Sequence, residues 1–243
     1  MSLMTPDFTF TLNPLLSRRS GATELYLIRH GDALPGPEIV IPEGDNEGSP
    51  PLTPLGRRQA EALGRWWADK QFDALYSSPL LRTRQTAAPF AEIRAMEVKL
   101  VEDLREVHFR IDGRTPGDPA DPALSHEELK KRYDEAIRRV SEDGHWSVLT
   151  GSESGAHLRE RVTRALTKIA AGHPGGRVAV FAHAGVINAF LAVILGQERD
   201  LLFPLHNTGV TIVRCQGQRA SLVAFNDISH LREFGVRLER EEA

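Results

Sequence analysis

The sequence predicts an α/β protein: a three-layer α/β/α sandwich whose mostly parallel central sheet carries helices on both faces. Two observations predict it. Short β-branched and aromatic runs alternate along the chain with stretches of helical period, and no internal repeat points to a solenoid. Composition agrees. The chain has 243 residues, 41% of them hydrophobic, and its 20 glycines bring the apolar share near half, enough for a substantial core without staples. The single cysteine, Cys215, excludes an internal disulfide and a Cys-rich zinc site. Thirty Lys and Arg against 33 Asp and Glu give a net charge of -3, which argues against a protein that coats nucleic acid or an anionic membrane.

Residues 1–22 have neither a periodic pattern up to Arg19 nor a basic region followed by an apolar core. They read as an N-terminal arm of uncertain order, with no secretory signal and a cytoplasmic location expected. The first strand is Thr23 to Arg29, with Arg29, His30 and Gly31 at its carboxyl end. Five prolines between residues 32 and 51 exclude helix and central strand, and Leu52-Thr53-Pro54 then caps a helix to about Lys70. Asp73 to Ser77 is a strand, Ser78-Pro79 opens a helix to about Ala91, and Val98 to Val101 is a third, weaker strand. Residues 103–124 are loop-like. Ser125 followed by Glu128 has capping-box spacing and starts a helix to about Ser141. Another helix, about His157 to Ala171, places Leu158, Val162, Ala165, Leu166 and Ile169 on one face. The apolar run Val178 to Gly196 approaches the length of a membrane span, but His183 and Asn188 at its centre favour a buried strand feeding a buried helix. Val210 to Cys215 and Ala220 to Ala224 form a closing hairpin around Gln216-Gly217-Gln218. Residues 23–243 therefore read as one domain, with a helical insertion at about 103–160.

Ligands of such sheets bind beyond the carboxyl ends of the strands, where Arg29, His30 and His183 fall. Arg82, on the first turn of a helix that follows another strand end, adds a second guanidinium. Two arginines and two histidines suit a phosphoryl group, because the Arg fork matches phosphate oxygens two at a time. The helix starting at Ala184 would aim N–H groups at the same place. An isolated Arg-His-Gly carries little information, so the surrounding blocks decide.

Those blocks are Leu25-Tyr26-Leu27-Ile28-Arg29-His30-Gly31; Leu52-Thr53-x-x-Gly56-x-x-Gln59-Ala60; Tyr76-Ser77-Ser78-Pro79-x-x-Arg82-x-x-Gln85-Thr86-Ala87; Leu104-Arg105-Glu106; Gly151-x-Glu153-Ser154; and His183-x-Gly185. In this order, over about residues 23 to 225, the chain resembles the histidine phosphatase superfamily, which includes cofactor-dependent phosphoglycerate mutase. The resemblance implies that residues 23–243 form one histidine phosphatase domain whose insertion carries the proton donor. It implies His30 as nucleophile, Arg29, Arg82 and His183 as holders of the phosphoryl oxygens, and Glu106 as proton donor. It also implies metal-free chemistry without a cofactor, because flanking cations stabilise the charge of the transition state.

Three positions depart from the commonest family pattern: Asp32-Ala33 after Arg-His-Gly, Ala184 in place of glycine, and Phe109-Arg110 where Phe-Gly is common. Arg-His-Gly-Asp-Ala also resembles the short phosphohistidine protein phosphatases, but those lack the segment that holds Glu106. The mutases carry an Asn- and Trp-containing loop where residues 32–51 have no Trp. The expectation is a phosphatase for a small phosphorylated metabolite, with a mutase, a phosphohistidine protein phosphatase and an inactive phosphate-binding module as alternatives. His108, two residues after Glu106, is a candidate substrate contact. The other histidines lack metal-ligand spacing, Trp66 and Trp67 read as packing with at most one at the surface, and Arg232 to Glu242 reads as a solvated segment.

Overall fold

Alternate residues of the first strand bury in opposite directions: Leu25 and Leu27 join one core, Tyr26 and Ile28 another. A strand covered on both faces requires this. The structure, a computed structural model, describes residues 10–13, 16–33, 50–107, 126–149 and 151–239. Its strands are β1 (Thr11–Leu12), β2 (Thr23–Arg29), β3 (Ala74–Ser77), β4 (Val98–Leu100), β5 (Arg177–Ala182), β6 (Val210–Gln216) and β7 (Arg219–Asp227). Its helices are α1 (Pro54–Trp66), α2 (Leu81–Arg94), α3 (His126–Asp143), α4 (Gly155–Ala171), α5 (Ala184–Leu195) and α6 (Ser229–Glu233). One sheet runs in the order β1-β7-β6-β2-β5-β3-β4. Strand β6 pairs antiparallel with both neighbours, and the other pairings are parallel. Leu63 of α1 and Phe90 of α2 pack on one face; Leu158 and Leu166 of α4 and Ile187 and Phe190 of α5 pack on the other. The three-layer α/β architecture expected from the alternating pattern is the one found.

Local chemistry sets the element ends. Thr53 caps α1 by accepting from Gly56 N–H at 3.1 Å. The helix stops at Trp66, short of the expected Lys70, because Trp67 turns inward and meets Tyr26 edge-on at 5.7 Å. Trp67 is 3% exposed and Trp66 44%, the division anticipated for a packing pair. Helix α2 runs three residues beyond Ala91 despite Pro89 within it, and Ala95 ends it in the left-handed region. The long apolar run divides into β5 and α5, and among the described residues no helix is long and apolar enough to cross a membrane.

The two ends of the chain differ from the sequence expectation. The sheet begins before residue 22: β1 pairs with β7, and Phe10 lies edge-on to Phe190 at 5.8 Å. Phe10 and Leu16 are buried single anchors, too sparse to produce a period. At the other end Leu231 is fully buried, and Val236 and Leu238 pack with Ala62 and Ile228 instead of facing solvent. Gln59 fastens this segment by donating to the carbonyls of Arg237 and Leu238 at 3.2 Å each. The helix cap expected at Ser125 lies outside the described residues.

Two glycines permit a close backbone crossing beside the end of β2. A Cβ on Gly56 would stand 2.0 Å from the Asp32 carbonyl oxygen, and one on Gly31 2.7 Å from the Gly56 carbonyl oxygen. Neither neighbour is a side chain that could turn away. Gly56→Ala should therefore cost about 3 kcal/mol and lower Tm by roughly 6–12 °C. Gly217→Ala, where φ is +57° and nothing lies within 4 Å, serves as a control, with only about 1 kcal/mol expected from backbone strain. A Gly56→Ala melt as mild as the Gly217→Ala melt would refute the crossing.

Candidate active site

Three parallel strands end level. Arg29 is in register with Ala182 and Ser77 with Phe181, so the residues that follow leave the sheet side by side. His30 N–H donates to Ala182 O at 3.0 Å and Ser78 N–H to Phe181 O at 2.9 Å. The His30 and His183 rings consequently meet with centroids 5.2 Å apart. His30 Nδ1 lies 2.7 Å from Gly31 O. A carbonyl only accepts, so Nδ1 carries the proton and Nε2 keeps its lone pair, an assignment made from the hydrogen-bond network.

His183 is fully buried and reaches the same tautomer through its other ring nitrogen. Ser78 Oγ accepts from Leu80 N–H at 3.4 Å and lies 2.9 Å from His183 Nε2. With the hydroxyl proton directed to Nε2, the imidazole proton sits on Nδ1, a buried nitrogen without a hydrogen-bond partner among the described residues. That is an N–H awaiting an acceptor.

The two arginines arrive from different layers. Arg29 is the last residue of β2, and its Nη1 donates to Leu205 O. Arg82 is on the first turn of α2, drawn to the same edge through Thr86, whose Oγ accepts from Gly31 N–H at 3.0 Å and donates to Arg82 O at 2.6 Å. Burial, then the Arg82 and Arg29 guanidiniums, hold the His30 pKa well below the usual 6.5. Burial and then Arg82 do the same for His183. Both imidazoles are neutral at pH 7.

Glu106 approaches from the α5 side. Its Oε1 accepts from Val107 N–H at 2.9 Å and its Oε2 from Gly185 N–H at 3.3 Å. Burial raises its pKa above the usual 4.5, against the opposing pull of those N–H groups and of Arg82 and Arg29. Ala184 begins α5 directly after His183, and Gly185 leaves room for the carboxyl: a Cβ there would stand 2.4 Å from Glu106 Oε1.

The structure thus brings together Arg29, His30, Arg82, Glu106 and His183, the five residues singled out in the sequence. His108 lies outside the described residues, as do Phe109 and Arg110. Asp32 bonds to the start of α1: its carboxylate accepts from Thr53 Oγ and its carbonyl from Thr53 N–H at 2.9 Å, tying the turn after Gly31 to α1. Sequence reasoning missed the opposite rim, formed by residues 203–209. Asn207 Nδ2 donates to His30 O at 2.9 Å, and Thr208 N–H donates to Arg29 O at 3.0 Å. Thr208 adopts φ +56° and bonds through Oγ to buried His230 at 2.9 Å, a histidine that burial lowers to about 4. His-Asn-Thr-Gly ahead of a strand was the available signal. Among the described residues, no group of three His, Cys, Asp or Glu side chains is placed to hold a metal ion.

Known proteins resemble this chain in sequence and fold. The sequence profile of the histidine phosphatase superfamily (branch 1) matches residues 25–228. Phosphoserine phosphatase 1 of Hydrogenobacter thermophilus is 28% identical over 221 residues, covering 89% of this chain and 98% of that protein. The metal-independent phosphoserine phosphatase of Arabidopsis thaliana is 31% identical over 220 residues, covering 89% of this chain and 86% of that protein. The structure of Bacillus stearothermophilus YhfR superposes with a TM-score of 0.67 at 25% identity, over 86% of this chain and all of that one. With the profile spanning the strand ends, both arginines and both histidines of the site, the chain belongs to the histidine phosphatase superfamily, branch 1.

Proposed function

We propose that the chain is a metal-independent phosphatase that hydrolyses a small-molecule phosphomonoester through a phosphohistidine on His30. The observation that carries this reading is the His30 imidazole itself: Nδ1 is tied to Gly31 O, Nε2 is left as a lone pair, and two guanidiniums and burial keep the ring neutral. A neutral imidazole attacks phosphorus without first losing a proton. The names of the relatives, one a phosphoserine phosphatase and one a metal-independent phosphoserine phosphatase, support the same class and favour a small phosphorylated metabolite as substrate.

In the first step His30 Nε2 forms a bond to phosphorus as the ester P–O bond breaks, and Glu106 gives its proton to the departing oxygen. Arg29, Arg82 and the Nδ1–H of His183 take the equatorial oxygens, as positioned donors do in phosphoryl transfer. In the second step Glu106, now a carboxylate, takes a proton from the attacking water. The P–N bond breaks, orthophosphate leaves and His30 returns to its neutral form.

Rapid-quench trapping during turnover should label His30 with an acid-labile, base-stable phosphoryl group. His30→Ala should abolish label and hydrolysis together, and activity should survive exhaustive EDTA treatment. Label retained in His30→Ala, or activity that only added metal restores, would overturn the mechanism. A mutase would instead require 2,3-bisphosphoglycerate for activity, so assays with and without it separate the two.

The charge argument has its own test. His30 should titrate well below 6.5 when its ring nitrogens are followed by NMR, and Arg82→Ala should move that titration upward, because removing a nearby cation favours the protonated ring. In the free enzyme the acidic limb of kcat/KM should move up with it. An unmoved His30 titration would mean that Arg82 does not act on the ring.

Glu106→Gln should slow an alkyl phosphate by about 10²-fold or more, within the range for a general acid, while p-nitrophenyl phosphate slows far less because its leaving group departs without a proton. The alkaline limb of the pH profile should vanish with the carboxyl. Equal slowing of both substrates would show Glu106 to be positioning substrate rather than donating a proton.

A further inference from the structure

Glu106 lies on a segment that makes no sheet ladder. Residues 101–107 leave β4 and pass through one 3₁₀ turn at Glu102–Leu104, with no strand among them, so strand pairing within them cannot fix the carboxyl. A side chain from α4 fixes it instead. Arg161, 8% exposed, donates from Nη1 to Asp103 O at 2.7 Å and to Arg105 O at 2.8 Å, and from Nη2 to Glu106 O at 3.4 Å. Its Nε and Nη2 also donate to the Glu153 carboxylate, each at 2.6 Å. These five bonds use the full donor set of a guanidinium. Glu153 precedes the α4 cap Ser154 in Gly-x-Glu-Ser, a motif with no other assigned role at the site.

We propose that Arg161, oriented by Glu153, is a positioning residue for proton transfer: it gathers the carbonyls of residues 103, 105 and 106 so that the Glu106 carboxyl is held against the start of α5. The proposal rests on Glu106 being the proton donor. Its reasoning is geometric. The carboxyl fills the space a Cβ on Gly185 would take, 2.4 Å from Glu106 Oε1, and its bond to Gly185 N–H is already long at 3.3 Å, so a small displacement of the segment breaks it. Misplacement of a reacting group by about 1 Å can cost roughly 10²-fold in rate. Stability alone is a poor reason for this pair, since buried ion pairs often contribute little net stability over apolar packing.

Arg161→Lys keeps the charge but has three donors in place of five and no planar fork, so it cannot span three carbonyls and a carboxylate. Its kcat for an alkyl phosphate such as O-phosphoserine should fall about 10- to 100-fold, with p-nitrophenyl phosphate falling less than about threefold. Competitive inhibition by inorganic phosphate should be unchanged, since Arg29, Arg82 and His183 bind it. The same substitution in a Glu106→Gln background should add no further loss on the alkyl phosphate. Glu153→Gln, a milder change, should show the same leaving-group pattern and serves if Arg161→Lys fails to fold. Equal slowing of both substrates in a folded variant, or losses that add in the double variant, would overturn the positioning role. If Glu106→Gln itself slows both substrates equally, the proton-donor reading fails and takes this proposal with it. If Glu106→Gln discriminates and neither Arg161→Lys nor Glu153→Gln does, the positioning role alone fails.

Discussion

A neutral imidazole must stand next to fixed positive charge, and the rest of the site depends on that juxtaposition. In water a histidine near pH 6.5 titrates within reach of physiological pH, and a protonated ring has no lone pair to offer. Here burial and two guanidiniums both disfavour protonation of His30, so the charge that would bind a phosphoryl group also preserves the base that would attack it. Desolvation requires that neighbouring elements close around the ring without a clash. Enclosure follows from strand ends aligned by register and from a backbone crossing at Gly31 and Gly56 that admits no side chain. A one-residue slip of β2 against β5 would turn His30 to the wrong face and undo all of it.

In the proposed reaction the two ends of a phosphomonoester would meet different parts of the fold. At the phosphoryl end stand residues placed by main-chain geometry: the last residue of β2, the turn after it, the first turn of α2 and the residue before α5. At the leaving-group end stands a carboxyl on an irregular segment, held by side-chain hydrogen bonds from another helix. The phosphoryl group has one geometry in every substrate, whereas leaving groups differ. A rigid scaffold for the first and a side-chain clamp for the second match that asymmetry.

Much of this was legible in the sequence because strand ends and helix starts leave local marks. Arg29, His30 and His183 follow recognisable strands, and Arg82 follows the Ser-Ser-Pro turn; their convergence needed only the rule that parallel strands present their carboxyl ends together. Thr53, Gly56 and Gln59 were visible as a motif, but their work was not. They bind the turn after Gly31 to α1 and to the C-terminal segment through contacts between residues 21 to 179 positions apart. Phe10 and His230 left no signal, since each acts singly, through one distant partner, and a lone residue creates no period; Asn207 left only the short His-Asn-Thr-Gly run. The C-terminal segment misled for a related reason: its charges alternate with Leu231, Val236 and Leu238, and the charges dominate the pattern while the apolar residues do the packing.

The desolvated Glu106 carboxyl completes the electrostatic argument. Burial that keeps histidines neutral also keeps a carboxylic acid protonated further into the pH range, because both effects penalise charge. The arginines act in opposite senses on the two: they reinforce the neutrality of His30 and oppose that of Glu106. A dianionic phosphoryl group placed between them would offset the cations and relieve that opposition at the moment the acid is needed. In the proposed reaction Glu106 would then depend on the bound substrate for its protonation, while His30 would be neutral before the substrate arrives. Preorganising the nucleophile through the main chain and conditioning the acid on the ligand is a consistent use of a single buried, positively charged pocket.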